Sequence, residues 1–257
     1  MRVLAGQLFT PQGWVEGHVV VEAGRCVEVR PGPARVEPAA RGVVVPAFVN
    51  AHTHVGDAVA RGTAIPDDLA AAVGPAGHKH RVLAAAPETA LVEGMARALG
   101  EAREAGCAWV VDFREQGLEG LARLGRAQAS VGLGVRAYGR PAQGLEDAAA
   151  VLAAADGLAV SSVVDDPGAP ALAAMARAAG KGFALHASEG AREPVDPVLD
   201  LAPELVVHLT FAERGDLARV ADAGARVAVC PRSNARWAKR LPDVRAMLDL
   251  GLGPALG

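Results

Sequence analysis

The chain has 257 residues, of which 51% are hydrophobic and 21% are charged, and its formal net charge is −3. This balance predicts a folded globular protein, excludes wholesale disorder, and argues against nucleic acid as the main partner. Three widely spaced cysteines exclude a disulfide framework. Because the sequence has neither a signal peptide nor an apolar run of the ~18 residues that cross a membrane, we expect a cytoplasmic protein with no membrane partner.

The first 45 residues have the pattern of short β-strands. Two β-rich stretches, RVLAGQLFT and GHVVVEAGRCVEVRP, are interrupted by glycine and proline. Gly24 lies between two strand-like runs, as a hairpin turn requires. We therefore predict that residues 1–45 form the N-terminal part of a β-sandwich domain.

From residue 46 to residue 257, strand and helix patterns alternate. The apolar run GVVVPAFVNAHTH predicts a first strand that is buried on both faces. Counting this strand as the first, the chain has seven strand–helix units, and GPALG begins an eighth strand. This rhythm predicts an α/β protein with a TIM-type (β/α)8 barrel. An open doubly wound sheet is the alternative, although neither a G-x-G-x-x-G motif nor a P-loop follows the first strand.

Four histidines fall at the predicted carboxyl ends of barrel strands, where active sites of such barrels lie. His52 and His54 end the first strand, and alternate residues of a strand point to the same side. His186 ends the fifth strand and His208 the sixth. Taken alone, each histidine is better explained as a polar residue at a strand end or a hydrogen-bonded residue at the edge of the core. Four at equivalent positions favour a common centre, and neutral imidazole is a common ligand of zinc.

A carboxylate follows the third of these histidines. Glu189 lies three residues beyond His186, in the sequence HASEG. There it could take a proton from a water molecule at the metal and pass it to a leaving group. The alternative is an acidic residue at a helix N-terminus, which the helix dipole favours.

The motifs PAFVNAHTH, LHASEG, VVHLT and VAVCPRSN, in this order, resemble the amidohydrolase superfamily. Within it they are most similar to the branch of cytosine deaminase, guanine deaminase and the chlorohydrolase-like enzymes. The resemblance implies one zinc or iron ion held by His52, His54 and His186. It also implies that Glu189 transfers protons and that His208 orients or polarises the substrate or the water.

The end of the sequence departs from this resemblance. The branch carries a further metal ligand, an aspartate at the end of strand eight, whereas the sequence stops at GPALG. Asp249 lies too early to replace it. We therefore expect a C-terminally truncated chain whose barrel over residues 46–257 lacks its last strand–helix unit. Strand four, LAVSSVVDD, has no lysine of the kind that bridges two metals in binuclear relatives, which favours a single ion.

Four further residues are candidates for contact with the substrate: His78, His80, Arg114 and Asn234. The two histidines lie in PAGHKHR, predicted as a loop above the barrel, where a solvent-exposed position is an equal alternative. The arginine could hold an anionic substrate group or pair with Asp112 or Glu115. The asparagine could brace the site or cap a turn.

These features together predict a metal-dependent hydrolase of a heterocyclic small molecule that acts at a C–N bond, with deamination favoured. The first alternative is a cyclic-amide hydrolase of the hydantoinase or imidazolonepropionase kind. The second is a non-catalytic fragment or binding protein. A homo-oligomer is compatible with the sequence, which leaves the substrate and the choice between zinc and iron open.

Overall fold

The computed structural model describes residues 1–74 and 76–257, which divide into two compact units, Met1–Phe48 and Val49–Gly257. The first unit is a mixed sheet in the order β3-β2-β1-β4. Its four strands are β1 (Arg2–Thr10), β2 (Gly13–Glu22), β3 (Arg25–Pro31) and β4 (Ala40–Val44). Strands β1, β2 and β3 pair antiparallel, and β4 runs parallel to β1.

The turn between β2 and β3 lies where the sequence predicts it. Ala23 and Gly24 both have positive φ angles, 48° and 76°, as a two-residue turn with the right-handed twist of a hairpin requires. Alternate residues of β1, including Val3 and Ala5, are buried on one face of the sheet. The first unit is thus a small mixed sheet with a one-sided core.

The second unit is a barrel of eight strands that neighbour each other in chain order. The strands are β5 (Phe48–Thr53), β6 (Cys107–Arg114), β7 (Gly134–Gly139), β8 (Gly157–Val160), β9 (Gly182–Ala187), β10 (Leu205–His208), β11 (Arg226–Val229) and β12 (Ala255–Leu256). Each pair of neighbours from β6 to β12 is parallel. Gly257, directly after β12, lies against His52 of β5, so the barrel is nearly closed. This confirms the predicted barrel.

Helices connect the strands and cover the barrel. They are α1 (Leu69–Val73), α2 (His78–Ala85), α3 (Glu88–Glu104), α4 (Gly117–Val131), α5 (Leu145–Ala154), α6 (Ala169–Ala178), α7 (Asp196–Leu199), α8 (Arg214–Asp222), α9 (Pro231–Trp237) and α10 (Val244–Asp249). A 3-10 helix spans Val55–Ala60. In the described parts of the chain, none of these helices combines the length and apolar character that crossing a membrane requires.

The core lies on both sides of the parallel strands. Strands β8 and β10 are buried at every position, which explains why β8 is apolar throughout and β10 is apolar up to His208. One cluster of side chains packs between the strands and the outer helices, and a second fills the barrel interior around Phe113 and Tyr138. The packed interior fixes the carboxyl ends of the strands in space.

The structure differs from the sequence prediction at three places. The run predicted as one strand over residues 43–54 is two strands, β4 and β5, separated around Pro46, which has no N–H to donate to a ladder. The stretch predicted as a loop with His78 and His80 is the first turn of α2, although Pro75 lies outside the described residues. Strand β11 ends at Val229, because Pro231 takes the first position of α9, which proline favours.

Candidate active site at the carboxyl ends of the strands

Three of the predicted histidines meet at one point above the barrel. His52 is in β5 and His54 directly follows that strand, whereas His186 is in β9. The Nε2 atom of His186 lies 3.3 Å from Nε2 of His54 and 3.3 Å from Nε2 of His52. Ligand atoms of all three residues lie within 4.8 Å of one another. The barrel therefore brings together imidazoles that are up to 134 positions apart in the sequence.

The chemistry of this cluster fits a divalent metal ion. Burial lowers the pKa of His52 and of His186 well below the ordinary value, with the neighbouring histidines adding to the effect, so both are neutral at physiological pH. Nδ1 of His186 donates to the carbonyl oxygen of Ser161 at 2.9 Å, which leaves the Nε2 lone pair free. Two nitrogens about 2.1 Å from a tetrahedral zinc would be about 3.4 Å apart. Three converging lone pairs at this spacing form a candidate metal site.

A buried network of charges lies behind His54. Nδ1 of His54 is 2.8 Å from Oε1 of Glu115, and Nζ of Lys79 is 2.5 Å from the same oxygen. Burial by itself raises the pKa of the Glu115 carboxyl, but Lys79, His54 and Arg114 outweigh it and hold the pKa well below its ordinary value. For Lys79, the carboxylates of Asp57 and Glu115 outweigh burial and raise the pKa. Glu115 is therefore ionised and Lys79 protonated.

Arg114 belongs to this network and does not line the cavity. Its side chain is 0% exposed, with Nη2 2.6 Å from Oε2 of Glu115 and Nη1 3.3 Å from Oδ2 of Asp112. A guanidinium enclosed in this way has no surface to offer a ligand. The two ion pairs that the sequence left as the alternative for Arg114 are both present.

Glu189 and His208 form a second pair in the site. Oε1 of Glu189 lies 3.3 Å from Nε2 of His208. Burial raises the pKa of Glu189 to about 7, so both protonation states are accessible near neutral pH. Burial, with the neighbouring His54 adding to the effect, lowers the pKa of His208 to about 3, so this imidazole is neutral. The amide nitrogen of the fully buried Asn234 donates to Nδ1 of His208 at 2.9 Å. Nε2 of His208 therefore carries the proton and faces Glu189.

The backbone is unusual where these side chains leave the strands. His208 and Leu209 have positive φ angles of 79° and 51°, and Ser188 has one of 51°. Backbone hydrogen bonds hold this turn, from Leu209 N to Ala187 O at 3.0 Å and from Phe211 N to Ser188 O at 2.9 Å. Residues other than glycine seldom adopt positive φ angles, and those that do are frequent at functional sites.

Phe113 forms the apolar base of the histidine cluster. Its ring centroid lies 4.6 Å from that of His52 and 5.1 Å from that of His186, and the side chain is 0% exposed. It packs edge-on against His52, at an interplanar angle of 88°. The ring fills the barrel interior directly beneath the imidazoles and limits their rotation.

A cavity of about 590 Å³ opens over the cluster. Besides the three metal-site histidines, Glu189 and His208, its lining includes Lys79, Arg140 and Trp237. Sequence reasoning missed these three, because none lies in a recognisable motif; the buried lysine lies in a stretch that was predicted as a loop.

All four predicted substrate residues lie outside this lining: Arg114 and Asn234, described above, and also His78 and His80. Nε2 of His78 bonds to the hydroxyl of Thr63 at 2.8 Å. His80 is half-buried on the same helix, and burial lowers its pKa. Asp249 is the last residue of α10, where it pairs with Arg245 at 2.9 Å. It lies on the helix before β12, as the sequence indicates.

The barrel, the histidine cluster and the cavity define the class of protein. The sequence pattern of the amidohydrolase family matches residues 43–195. The chain is 31% identical over 99% of its length to a candidate aminohydrolase of Methanothermobacter thermautotrophicus, of which it spans 73%. This chain belongs to the amidohydrolase family, which confirms the resemblance in its motifs.

The chain is similar in sequence to a deaminase, and in fold to a chlorohydrolase and a second deaminase. It is 29% identical to the 5-methylthioadenosine/S-adenosylhomocysteine deaminase of Halobacterium salinarum, over 100% of this chain and 68% of that one. Zinc-bound atrazine chlorohydrolase from Arthrobacter aurescens has a similar fold, with a TM-score of 0.75, 17% identity, and 100% of this chain and 71% of that one covered. Helicobacter pylori aminofutalosine deaminase, complexed with methylthio-coformycin, has a TM-score of 0.77, 15% identity, and 100% and 76% covered.

Proposed function

We propose that this chain is a metal-dependent hydrolase that removes an amino group from a heterocyclic small molecule. One observation carries the proposal: three histidine Nε2 atoms converge within a cavity that Glu189 and His208 also line. Membership of the amidohydrolase family and the deaminase among its relatives support the choice of a C–N bond.

His52, His54 and His186 would hold a single divalent ion. Such an ion supplies Lewis-acid activation of a water molecule near neutral pH. Three neutral imidazoles suit zinc, and the zinc-bound chlorohydrolase structure supports that choice. Iron is the second ion that this donor set suits.

Glu189 is the residue that we assign to proton transfer. Its carboxylate takes a proton from the attacking water and delivers it to the leaving nitrogen. A C–O bond forms at the substrate carbon, the C–N bond breaks, and ammonia leaves. The pKa of about 7 suits this residue to both steps, because neither its acid nor its base form is rare near neutral pH.

His208 is assigned to charge stabilisation. It is neutral, and its Nε2–H faces the same space as Glu189. From there it donates a hydrogen bond to the substrate atom on which negative charge develops. Asn234 keeps the proton on Nε2 through its own hydrogen bond to Nδ1, so we assign Asn234 a positioning role.

The cavity suits a small heterocycle. Its volume of about 590 Å³ lies within the range of about 300–1,000 Å³ that is typical of small-molecule sites. We assign substrate contact to Trp237 and Arg140, which both belong to the lining. These two replace His78, His80 and Arg114, which lie outside the lining.

The test is a product assay on the purified chain loaded with zinc or iron, over a panel of amino-substituted purines, pyrimidines and triazines. We expect metal-dependent release of ammonia, which the Glu189→Gln variant should slow by about 10²–10⁴-fold. Ring opening without ammonia would establish the cyclic-amide alternative, and chloride release from chlorotriazines would establish dechlorination. A loaded chain that converts nothing on the panel would favour the non-catalytic alternative and overturn the proposal.

A further inference from the structure

His54 can serve as a metal ligand in only one of its two neutral tautomers. A neutral imidazole carries a proton on one nitrogen and a lone pair on the other. Nε2 of His54 points at the cluster, 3.3 Å from Nε2 of His186, and Nδ1 points away from it. The proton must therefore sit on Nδ1 if Nε2 is to bind a cation. Whatever faces Nδ1 decides the tautomer.

Two groups of opposite character compete for Nδ1. Oε1 of Glu115 lies 2.8 Å from it and Nζ of Lys79 lies 3.2 Å from it. An ammonium can only donate, so it would keep the proton off Nδ1 and place it on Nε2. An ionised carboxylate can only accept, so it favours the proton on Nδ1. The two partners thus select opposite tautomers.

The geometry favours the carboxylate. Lys79 directs Nζ to Oε1 of Glu115 at 2.5 Å and to Oδ2 of Asp57 at 3.2 Å, both contacts to acceptors. Two of its three donors therefore go to acidic groups, and its 3.2 Å approach to His54 is longer than the 2.8 Å contact of Glu115. The lysine acts chiefly as the counter-charge that lets a carboxylate remain ionised in a buried position.

Strand β6 fixes this carboxylate in place, although it contributes no member of the histidine cluster. Oε2 of Glu115 accepts from Arg114 at 2.6 Å. Oδ1 of Asp112 accepts from the backbone N–H of Val55 at 2.6 Å and from the hydroxyl of Thr53 at 2.9 Å. Those two residues flank His54. The end of β6 therefore holds both the backbone on either side of His54 and the Nδ1 atom of its ring.

We propose that Glu115 is a positioning residue that keeps His54 in its Nδ1-protonated tautomer and thereby sets the metal affinity of the site. The inference rests on the proposed metal site. Glu115 does not itself line the cavity, but it contacts three lining residues, His54, Lys79 and Arg140, and it acts on the metal site through His54. Lys79 balances its charge and does not choose the tautomer.

Glu115→Gln tests this on the full chain, because the amide keeps the shape of the carboxylate but can donate to Nδ1. The first measurement is the nitrogen-15 NMR spectrum of histidine-labelled, metal-free protein, which distinguishes the two tautomers. The second is the zinc Kd from competition with a chromophoric chelator. We expect the proton of His54 to move to Nε2 and the zinc affinity to fall about 10–100-fold.

Lys79→Met is the matched variant, since it removes the competing donor and leaves Glu115. We expect Nδ1 of His54 to stay protonated, and a shift of the proton to Nε2 would overturn the inference even if the glutamine variant fails to fold. An unchanged tautomer in Glu115→Gln, or a zinc Kd within about twofold of the parent, would also overturn it. A parent chain that binds no zinc would refute the proposed function instead. The NMR spectra of the metal-free variants would still test whether Glu115 sets the tautomer of His54.

Discussion

The amide nitrogen of Asn234 donates to Nδ1 of His208 at 2.9 Å, which determines the ring nitrogen that His208 presents to the cavity. The contact joins the end of the sixth barrel strand to the helix after the seventh, and both side chains are buried. The proposed hydrogen-bond donor of the site is thus set by a residue that does not line the cavity.

Exchange of this amide for a carboxylate tests that arrangement. In Asn234→Asp, the new acceptor draws the proton to Nδ1 of His208, and Nε2 loses its donor. We expect kcat to fall about 10²-fold with metal content unchanged. Arg245→Gln on the exposed side of α10 is the control and should leave kcat unchanged. An unaltered kcat in the aspartate variant, with native circular dichroism, would refute the role of Asn234.

Metal binding depends on the three clustered histidines. We expect His52→Ala and His186→Ala to weaken zinc binding by 10-fold or more, because each removes one of three converging nitrogens. The measurement is metal content by mass spectrometry after dialysis against a weak chelator. His78→Gln is the matched control, since that ring bonds to Thr63 and lies outside the cavity lining. Equal metal content in all three variants would remove the cluster as the metal site.

The pH dependence of activity should reveal Glu189. A carboxylate that accepts the proton of water must be ionised, and burial raises the pKa of this group to about 7. We therefore expect kcat/KM to fall about tenfold per pH unit as the pH drops below that value. Glu189→Gln should reduce kcat/KM by about 10²–10⁴ and abolish this limb. If Glu189→Gln keeps some activity and its kcat/KM still falls in the same way at low pH, the titrating group is a residue other than Glu189.

Two glycine substitutions should change stability in opposite directions. A methyl group at Gly56 would lie 2.2 Å from Nη2 of the buried Arg114, whereas a methyl group at Gly100 in α3 would meet nothing within 4 Å. We expect Gly56→Ala to lower the free energy of unfolding by about 1–3 kcal/mol. Gly100→Ala should raise it by about 0.5–1 kcal/mol, since alanine favours helix. Urea unfolding measures both changes. A Gly56→Ala midpoint equal to that of the parent chain would show that Arg114 can move aside.

The sequence predicts the barrel and the histidine cluster because both depend on strong local patterns. Apolar strand cores recur with helices between them, and each histidine follows such a core directly. The charged network was not predictable in the same way, because its members come from α2 and from the end of β6. Lys79 is surrounded by polar residues in sequence, and only the folded chain encloses it. Arg114 pairs with its sequence neighbours Asp112 and Glu115, as the sequence allowed, but only the folded chain shows that the guanidinium is enclosed.

The backbone turn at the end of β10 has a consequence for how the chain can change. His208 and Leu209 hold left-handed conformations that cost on the order of 1–3 kcal/mol each. Glycine would relieve that strain, but at position 208 it would also remove the imidazole. That change would leave a cavity at a side chain that is 3% exposed, and the amide nitrogen of Asn234 would lose its acceptor. Packing and the proposed chemistry therefore both keep the strained histidine at this position.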